Sequence, residues 1–260
     1  MKEVVWITGA SSGIGAALVR RYCDSGHLVI ATSRSKVALE KVILSCANPS
    51  NVTISLADLQ KLDELHQLVS SVWNIHKGID TVILNAGIGQ WGNVRETKIE
   101  VEREIFELNY WSPIQTIKSI LPKMEKVGFG KIICIGSIAS QFGQRNLAAY
   151  SASKSALSIY IESLKEELFD SPIKVQLISP GNIKTNIMHS ALTKNGTKLK
   201  KSLRAQERGM EPDILAKKIY NFSKKRRFHG IFTGIEGLAL PLHRFLPSFF
   251  YFLLRRKYAD

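Results

Sequence analysis

Short apolar runs rich in β-branched residues alternate along the chain with longer stretches in which apolar residues recur at helical spacing. Runs of the first kind are typical of buried strands, and stretches of the second kind are typical of amphipathic helices. The predicted strands are Val4–Ile7, Leu28–Ala31, Val52–Leu56, Thr81–Leu84, Lys131–Ile135, Lys174–Ile178 and Ile231–Thr233. Strands that alternate with helices form a parallel sheet covered on both faces, so the pattern predicts an α/β fold with a doubly wound parallel sheet.

The alternation continues without a Pro- or Ser-rich linker to about residue 186, and no internal repeat or low-complexity tract occurs. A length of 260 residues suits one large α/β domain. We therefore predict a single domain over 1–235, with an inserted lid over 186–210, and a C-terminal extension over 236–260.

The predicted lid mixes cations with large apolar residues, namely Met188, Leu192, Leu199, Leu203 and Met210. This mixture indicates a mobile segment with an apolar inner side and a basic outer side. The alternative is a charged loop that is simply solvated.

The extension is apolar and ends in the basic triplet Arg255-Arg256-Lys257. Its stretch Phe245–Leu254 is too short to cross a bilayer as a helix, and Pro247 interrupts it. Apolar bulk followed by cations fits a peripheral contact with a membrane surface. A tail packed over a substrate pocket or into a subunit interface explains the same pattern equally well.

Apolar residues make up 45% of the chain and charged residues 22%, which excludes a disordered chain, a collagen-like fibre and a disulfide scaffold. The three cysteines (Cys23, Cys46 and Cys134) are odd in number and lack metal-ligand spacing, so we expect buried reduced thiols and no metal site. Neither a signal peptide nor an apolar run of about 20 residues is visible, and we expect a cytoplasmic protein.

The net charge of +14 is concentrated in one part of the chain. Residues 194–227 carry twelve Lys or Arg and three Asp or Glu, whereas residues 1–193 are nearly balanced. Such a local patch argues against a dispersed nucleic-acid-binding face, and no known nucleic-acid-binding module is present.

A glycine-rich segment follows the first predicted strand and opens an amphipathic helix; its candidate phosphate-binding residues are Gly9, Ser11, Ser12, Gly13, Ile14 and Gly15. Glycines allow a tight turn and a close approach of a pyrophosphate, which the helix N-terminus then attracts. The alternative is an ordinary glycine-rich turn, but the strand–turn–helix context favours a dinucleotide site.

The end of the second predicted strand indicates which dinucleotide binds. An NAD site usually has a carboxylate there to accept from the ribose 2′-hydroxyl, but Ala31–Ser35 contains no acid. Arg34 could pair with a 2′-phosphate instead, and Ser33 could add a hydrogen bond. The sequence therefore favours NADP over NAD, the alternative being a solvated loop arginine.

Tyr150 and Lys154 extend the apolar stripe of a predicted helix, which continues through Leu157, Ile161 and Leu164. A lysine on such a face is costly unless it has a partner or a task. The four-residue spacing places its ammonium beside the phenol, so we expect the pKa of Tyr150 to be lowered and Tyr150 to act as a general acid/base. The alternative is a snorkelling lysine next to a core tyrosine.

Taken together, the chain resembles the short-chain dehydrogenase/reductase family over about residues 4–185. The matching residues, in family order, are Thr8–Gly15, Asp58-Leu59, Asn85-Ala86-Gly87, Asn109, Ser137, Tyr150-x-x-x-Lys154 and Pro180-Gly181. The resemblance implies a Rossmann fold and an NADP-dependent oxidoreductase that interconverts a carbonyl and a secondary alcohol.

The resemblance also implies the catalytic roles. Tyr150 would exchange a proton with the substrate oxygen, Lys154 would lower the pKa of Tyr150 and bind the nicotinamide ribose, and Ser137 would hydrogen-bond the substrate. Asn109 would hold a water that relays protons through Lys154. The alternatives are a strand-end cap for Ser137 and a bond to neighbouring backbone for Asn109.

The remaining family positions would bind the cofactor. Asp58, with Leu59 beside it, would accept from the adenine amino group, or else cap the helix that begins near Lys61. The other implied contacts are made by Asn85, Ala86 and Gly87 along the cofactor, by Pro180, Gly181 and Ile183 beside the nicotinamide, and by Thr185 at its carboxamide. For the Asn85 segment, the alternative is a turn that stabilises the sheet, and the two roles are compatible.

The apolar lid and tail suggest a hydrophobic small-molecule carbonyl or alcohol as substrate. The family often forms dimers and tetramers through the helices near 100–127 and 149–169, so a homodimer or homotetramer is expected. A catalytically silent NADPH sensor on the same fold is the second functional class, which the set Asn109, Ser137, Tyr150 and Lys154 argues against.

Overall fold

The computed structural model describes residues 2–201 and 204–257. Its strands are β1 Val4–Thr8, β2 Leu28–Ser33, β3 Val52–Leu56, β4 Thr81–Leu84, β5 Gln90–Trp91, β6 Gly130–Ile135, β7 Ile173–Pro180, β8 Leu192–Thr193 and β9 His229–Phe232. Seven of them form one parallel sheet in the order β3-β2-β1-β4-β6-β7-β9. The predicted doubly wound α/β fold is confirmed, with its last strand starting two residues earlier than the pattern indicates.

Helices cover both faces of this sheet. They are α1 Gly13–Asp24, α2 Lys36–Leu44, α3 Leu65–Ile75, α4 Ile99–Phe106, α5 Ser112–Val127, α6 Ala148–Glu167, α7 Arg204–Glu207, α8 Pro212–Ser223, α9 Ala239–Phe245 and α10 Pro247–Lys257. In β1, Val5 and Ile7 pack into the core under α1, α2 and α8, whereas Trp6 packs into the core under α3, α5 and α6. This division follows from the two-residue period of a strand.

The helix that runs from α4 into α5 is interrupted by a π-helical turn over Glu107–Trp111. Asn109 lies in this turn with its side chain fully buried. Single π-turns within α-helices occur frequently at functional sites, because they redirect side chains that a regular helix would place elsewhere.

A second sheet, which the sequence pattern does not predict, pairs β5 with β8 in parallel. Strands of two residues are too short to show a period. The pair connects the segment after β4 with the predicted lid, in which Met188 and Leu192 are buried and Lys198 is exposed. Leu203, the fourth apolar residue of that prediction, lies outside the described residues.

The three cysteines are buried and free, as expected. Cys23 and Cys46 lie close together at the ends of α1 and α2, and burial raises the pKa of Cys46 to about 12. Cys134 lies on β6 below Lys154, and burial raises its pKa to about 12 as well. Within residues 2–201 and 204–257, no helix is long and apolar enough to cross a membrane.

His27 connects the start of β2 to β1 and α8. Its Nδ1 accepts a hydrogen bond from the Glu3 N–H at 3.1 Å, and its Nε2 lies 3.2 Å from the Tyr220 hydroxyl. An Nδ1 that accepts must be unprotonated, so this arrangement requires a neutral imidazole. Burial lowers the pKa of His27, and the charge of Lys224 lowers it further, although Glu3 acts in the opposite direction.

We expect the free energy of unfolding to decrease as the pH falls below about 6.5, because the unfolded chain takes up a proton on His27 before the folded chain does. Loss of the Glu3 hydrogen bond alone costs about 1 kcal/mol. Urea denaturation at about pH 7.5 and about pH 5.5 should show a smaller pH dependence for His27→Gln than for wild type. His66→Gln, at an exposed position on α3, is the matched control and should behave like wild type. If His27→Gln kept the wild-type pH dependence, protonation of His27 would not be the cause of the lost stability.

Candidate active site

The turn between β1 and α1 packs so closely against neighbouring backbone that its glycine positions have no room for a side chain. Gly9 and Gly13 have φ of +63° and +52°, in the left-handed region that favours glycine. A Cβ on Gly9 would lie 2.8 Å from Ala86 Cα, and a Cβ on Gly15 would lie 2.1 Å from the Gly9 oxygen. The glycine pattern is thus required by the approach of β4 and by the return of α1 over the turn.

The same turn presents the N-terminus of α1. Ser12 precedes it in an extended conformation and makes no side-chain capping bond, and the first turn of α1 carries no acidic residue. First-turn N–H groups have no acceptor inside a helix, so this end is suited to an anion such as a phosphate. Thr185 lies against Gly13, since a Cβ there would be 3.0 Å from Thr185 Cγ2. Ser11 and Ile14 complete the turn, with Ile14 packed on the core below.

Thr8 and Asn85 hold this turn against the end of β4. The Thr8 hydroxyl accepts hydrogen bonds from the N–H groups of Asn85 at 3.0 Å and of Ala86 at 3.2 Å. In return, the Asn85 amide donates to the Thr8 and Gly9 carbonyl oxygens at 3.0 and 3.3 Å. The side chain of Asn85 therefore has the sheet-stabilising role that the sequence analysis gave as its alternative.

Asn109 shapes the loop that follows. Its Oδ1 accepts from the Ile88 N–H at 2.9 Å, and its amide donates to the Ile88 oxygen at 3.0 Å and to the Ser153 hydroxyl at 3.2 Å. A Cβ on Gly87 would lie 3.0 Å from Asn109 Oδ1 and 3.5 Å from Lys154 Nζ. The structure thus brings Gly87, Asn109 and Lys154 together, with the Asn109 side chain committed to neighbouring groups.

Lys154 is buried in α6, as its place on the apolar stripe predicts, with 4% of the residue exposed. Its Nζ donates to the Ile135 carbonyl oxygen at 2.9 Å. Burial lowers the pKa of Lys154 to about 8, with the Cys134 thiol acting weakly in the opposite direction. One hydrogen bond to a neutral carbonyl leaves two of its three donors available.

Tyr150 lies one turn before Lys154, and the Ser137 side chain is close enough to lower the pKa of its phenol. Ser137 also accepts from the Ala139 N–H at 3.1 Å and so caps the short 3₁₀-helix Ile138–Ser140. Burial raises the pKa of Tyr150, and Ser137 opposes that shift only in part. The expected lowering of this pKa is therefore wrong in direction, because burial has the larger effect.

The residues predicted to bind the adenosine end lie at the tips of β2 and β3. Arg34 is exposed directly after β2, and the Ser33 hydroxyl lies 3.3 Å from the Ser35 nitrogen. The Asp58 carboxylate accepts from the Gln60 N–H at 3.2 Å, which closes a turn ahead of α3 and does not cap that helix. Leu59 beside it is buried.

The last of the predicted cofactor-binding residues follow β7. Gly181 donates its N–H to the Phe232 oxygen at 2.9 Å, so Pro180 and Gly181 continue the pairing with β9. Ile183 is buried and forms an isolated bridge with Met210, the last residue of the predicted lid. These contacts hold the segment from Pro180 to Thr185 between the sheet and the base of the lid.

Two site residues were missed by the sequence analysis, Gln90 and Glu236. Gln90 is fully buried, and its Oε1 accepts from the Tyr150 N–H at 3.1 Å. That bond fixes the orientation of the amide, whose Nε2 is without a hydrogen-bond partner among the described residues. The signal for Gln90 in the sequence was a glutamine within a segment of otherwise small and apolar residues.

Glu236 reaches back from the predicted extension to the loop after β7. Its Oε1 accepts from the N–H groups of Asn182 at 2.8 Å and Gly234 at 3.1 Å. A Cβ on Gly181 would lie 2.1 Å from this oxygen, so glycine is required there by the carboxylate. Glu236 is thus a positioning residue for the loop.

Comparison with known proteins identifies the family to which the chain belongs. The family model described as short chain dehydrogenase matches residues 3–196. The chain therefore belongs to the short-chain dehydrogenase/reductase family and is an oxidoreductase of that family.

Individual proteins are similar to this chain over most of its length. The dehydrogenase/reductase SDR family protein 7-like of Drosophila melanogaster is 31% identical over 98% of this chain and 80% of its own length. A short-chain dehydrogenase from Sphingobium yanoikuyae, solved in complex with NADPH, has a TM-score of 0.75 and 27% identity, covering 88% of this chain and 87% of its own. One from Burkholderia phymatum, solved with NAD, has a TM-score of 0.83 and 18% identity over 94% and 93% of the two chains.

We expect Glu236→Ala to loosen the loop after β7, because two backbone N–H groups lose their acceptor. Each such loss costs about 1 kcal/mol or more. Hydrogen exchange measured by mass spectrometry should become faster in peptides that cover 180–184 and 234, while peptides from β1 and β4 stay protected. Glu236→Gln retains the Oε1 acceptor and is the matched control. Unchanged exchange in Glu236→Ala would show that the carboxylate does not position the loop.

Proposed function

We propose that the chain is an NADP-dependent oxidoreductase that interconverts a carbonyl and a secondary alcohol on a hydrophobic substrate. The observation that carries this proposal is the buried Lys154, one helical turn after Tyr150 and with its ammonium beside Gly87, together with Ser137 close to the same phenol. A phenol, a hydroxyl and an ammonium so placed can hold a substrate oxygen and move a proton to or from it.

Proton transfer is the part of the reaction that these side chains supply. The pKa of Tyr150 is raised by burial, so its phenol is neutral at pH 7 and carries the proton that a carbonyl oxygen would accept. Ser137 would hydrogen-bond that oxygen and so orient it. Lys154, with a pKa of about 8, is mostly protonated at pH 7 and would stabilise the phenolate that remains.

The glycine turn fits a dinucleotide. The α1 N-terminus and the absent side chains at Gly9 and Gly13 make a cradle for its phosphates, and Thr185 closes one side of that cradle. Lys154 has donors left for ribose hydroxyls beside Gly87. When bound, the nicotinamide supplies or accepts the hydride, while the protein provides position and the proton.

The preference for NADP rests on Arg34. Its exposed guanidinium follows β2, and no carboxylate lies in the segment from Ala31 to Ser35 to accept from a ribose 2′-hydroxyl. The similar structures do not decide this point, because the Sphingobium yanoikuyae protein was solved with NADPH and the Burkholderia phymatum protein with NAD.

A hydrophobic substrate is supported by the apolar residues of the two segments predicted to close the substrate site. Met188 and Leu192 are buried in the predicted lid, and Phe142, in the loop between Ser137 and Tyr150, packs on Phe250. Exposed apolar residues on the helices predicted to join subunits, Trp111 and Ile159, support a homodimer or homotetramer.

Tyr150→Phe should retain NADPH affinity but lower kcat by about 100- to 10,000-fold, because it removes only the hydroxyl that exchanges the proton. Binding is measured by calorimetry, and turnover by loss of NADPH absorbance with a panel of lipophilic ketones and aldehydes. Tyr160→Phe, on the same helix and partly buried, is the matched control. Wild-type turnover in Tyr150→Phe would refute the assigned acid.

Arg34→Asp should lower the ratio of kcat/KM with NADPH to that with NADH by about 10- to 100-fold, the range of a lost charge-assisted bond. The new carboxylate can also accept from a 2′-hydroxyl. Lys41→Asp makes the same charge change near the end of α2 and should leave the ratio unaltered. If both variants keep the wild-type ratio, Arg34 does not contact a 2′-phosphate.

A further inference from the structure

Helices α9 and α10 pack on the protein through one side only. Phe250 is 4% exposed, with its ring 4.8 Å from that of Phe142 and 5.2 Å from that of His243. The Tyr251 hydroxyl lies 3.4 Å from His243 Nε2 and ties the two helices together. Because Phe142 belongs to the loop between Ser137 and Tyr150, this side is anchored to the wall of the candidate active site.

The solvent-exposed part of these two helices is also apolar. Its large residues, which we call the tail face, are Phe245, Leu246, Phe249, Phe252 and Leu253. They are between 41% and 74% exposed, and the rings of Phe249 and Phe252 stack at 6.4 Å. Contiguous exposed apolar residues of this kind mark an interaction surface, whereas single ones do not.

The charges around the tail face indicate what covers it. Residues 237–257 contain four Lys or Arg and no Asp or Glu. Arg244, Arg255 and Arg256 are in the exposed class, and the Arg256 guanidinium lies 4.9 Å from the centre of the Phe252 ring. A second copy packed about a two-fold axis on this face would bring like charges together. Anionic lipid headgroups complement them.

We propose that the tail face docks on an anionic phospholipid bilayer, with its apolar residues in the acyl boundary and its arginines among the headgroups. At 1.5 Å per residue, the eleven residues of α10 span only about 16 Å, so the helix lies in the interface and does not cross the roughly 30 Å hydrocarbon core.

This placement has a consequence for access to the site, which rests on the proposed function. Residues that follow β9 lie at the carboxyl edge of the sheet, as do Ser137 after β6 and Gly9 after β1. Docking through the tail face would hold that edge against the membrane. A lipophilic carbonyl could then enter from the bilayer past Phe142 and Phe250 without crossing water.

Vesicle flotation of the full chain tests the proposal without relying on turnover. Wild type should float with phosphatidylcholine vesicles that contain phosphatidylserine, and less at high salt or with phosphatidylcholine alone. Phe249→Ser combined with Leu253→Ser should lower the bound fraction at least about tenfold. Phe169→Ser, an exposed phenylalanine after α6 at the opposite edge of the sheet, is the matched control.

A charge-reversal pair tests the arginines in the same assay. Arg255→Glu with Arg256→Glu should lose binding to anionic vesicles, whereas Lys225→Glu with Arg226→Glu, which makes an equal charge change ahead of β9, should not. The Tyr150→Phe chain should float as wild type does, so a failure of the proposed chemistry would not affect this result.

Three outcomes would overturn the proposal. They are wild type that does not float, tail-face variants that float as well as wild type, and a lipid-free dimer in sedimentation that the tail-face variants dissociate. Circular dichroism establishes that each variant is folded. As an independent measurement, an environment-sensitive dye on Phe249→Cys should shift to shorter wavelength with anionic vesicles, and the same dye on Phe169→Cys should not.

Discussion

The close approach of β1 and β4 at the carboxyl edge of the sheet is the constraint on which the candidate site depends. The Thr8 hydroxyl and the Asn85 amide cross-link the two strand ends with four hydrogen bonds. With the backbones this close, Gly9 has no room for a side chain. The turn is narrow because these hydrogen bonds hold the two strand ends together. The N-terminus of α1 lies directly above them. A helix N-terminus suited to an anion therefore follows from the way the two strand ends are held together.

The second constraint is a buried cation. Lys154 is held among apolar side chains with one carbonyl oxygen as its acceptor, and burial lowers its pKa to about 8. Desolvating an ammonium is unfavourable, so burial of Lys154 costs stability that its single carbonyl contact offsets only in part. The same desolvation raises the pKa of Tyr150. Burial therefore moves the two pKa values in opposite directions and favours the neutral form of each group.

Much of this arrangement could be predicted from the sequence, because it depends on local periodicity. Short apolar runs that alternate with amphipathic helical stretches predicted the parallel sheet, and the helical stripe from Tyr150 to Leu164 placed Lys154 on a buried face. Gly9 and Gly13 were predicted from their context between a strand and a helix. In each case the residues that carry the signal are neighbours in the sequence.

The rest could not be predicted, because its partners are far apart in the chain. Glu236 contacts a residue 54 positions away, and Gln90 contacts one 60 positions away. Contacts over such separations leave no periodic pattern in the sequence. The pairing of β5 with β8 is of the same kind. The pKa of Tyr150 was predicted in the wrong direction, since spacing shows that a cation is near but does not show how strongly the phenol is desolvated.

The extension after β9 is best understood through these distant contacts. Glu236 holds the loop that carries Gly181, and Phe250 packs on Phe142 in the loop between Ser137 and Tyr150. The extension therefore contacts both loops that border the candidate site. A segment with no part in the site would not need both contacts. The extension thus packs as one unit with these loops, although the sequence pattern separates it at 236.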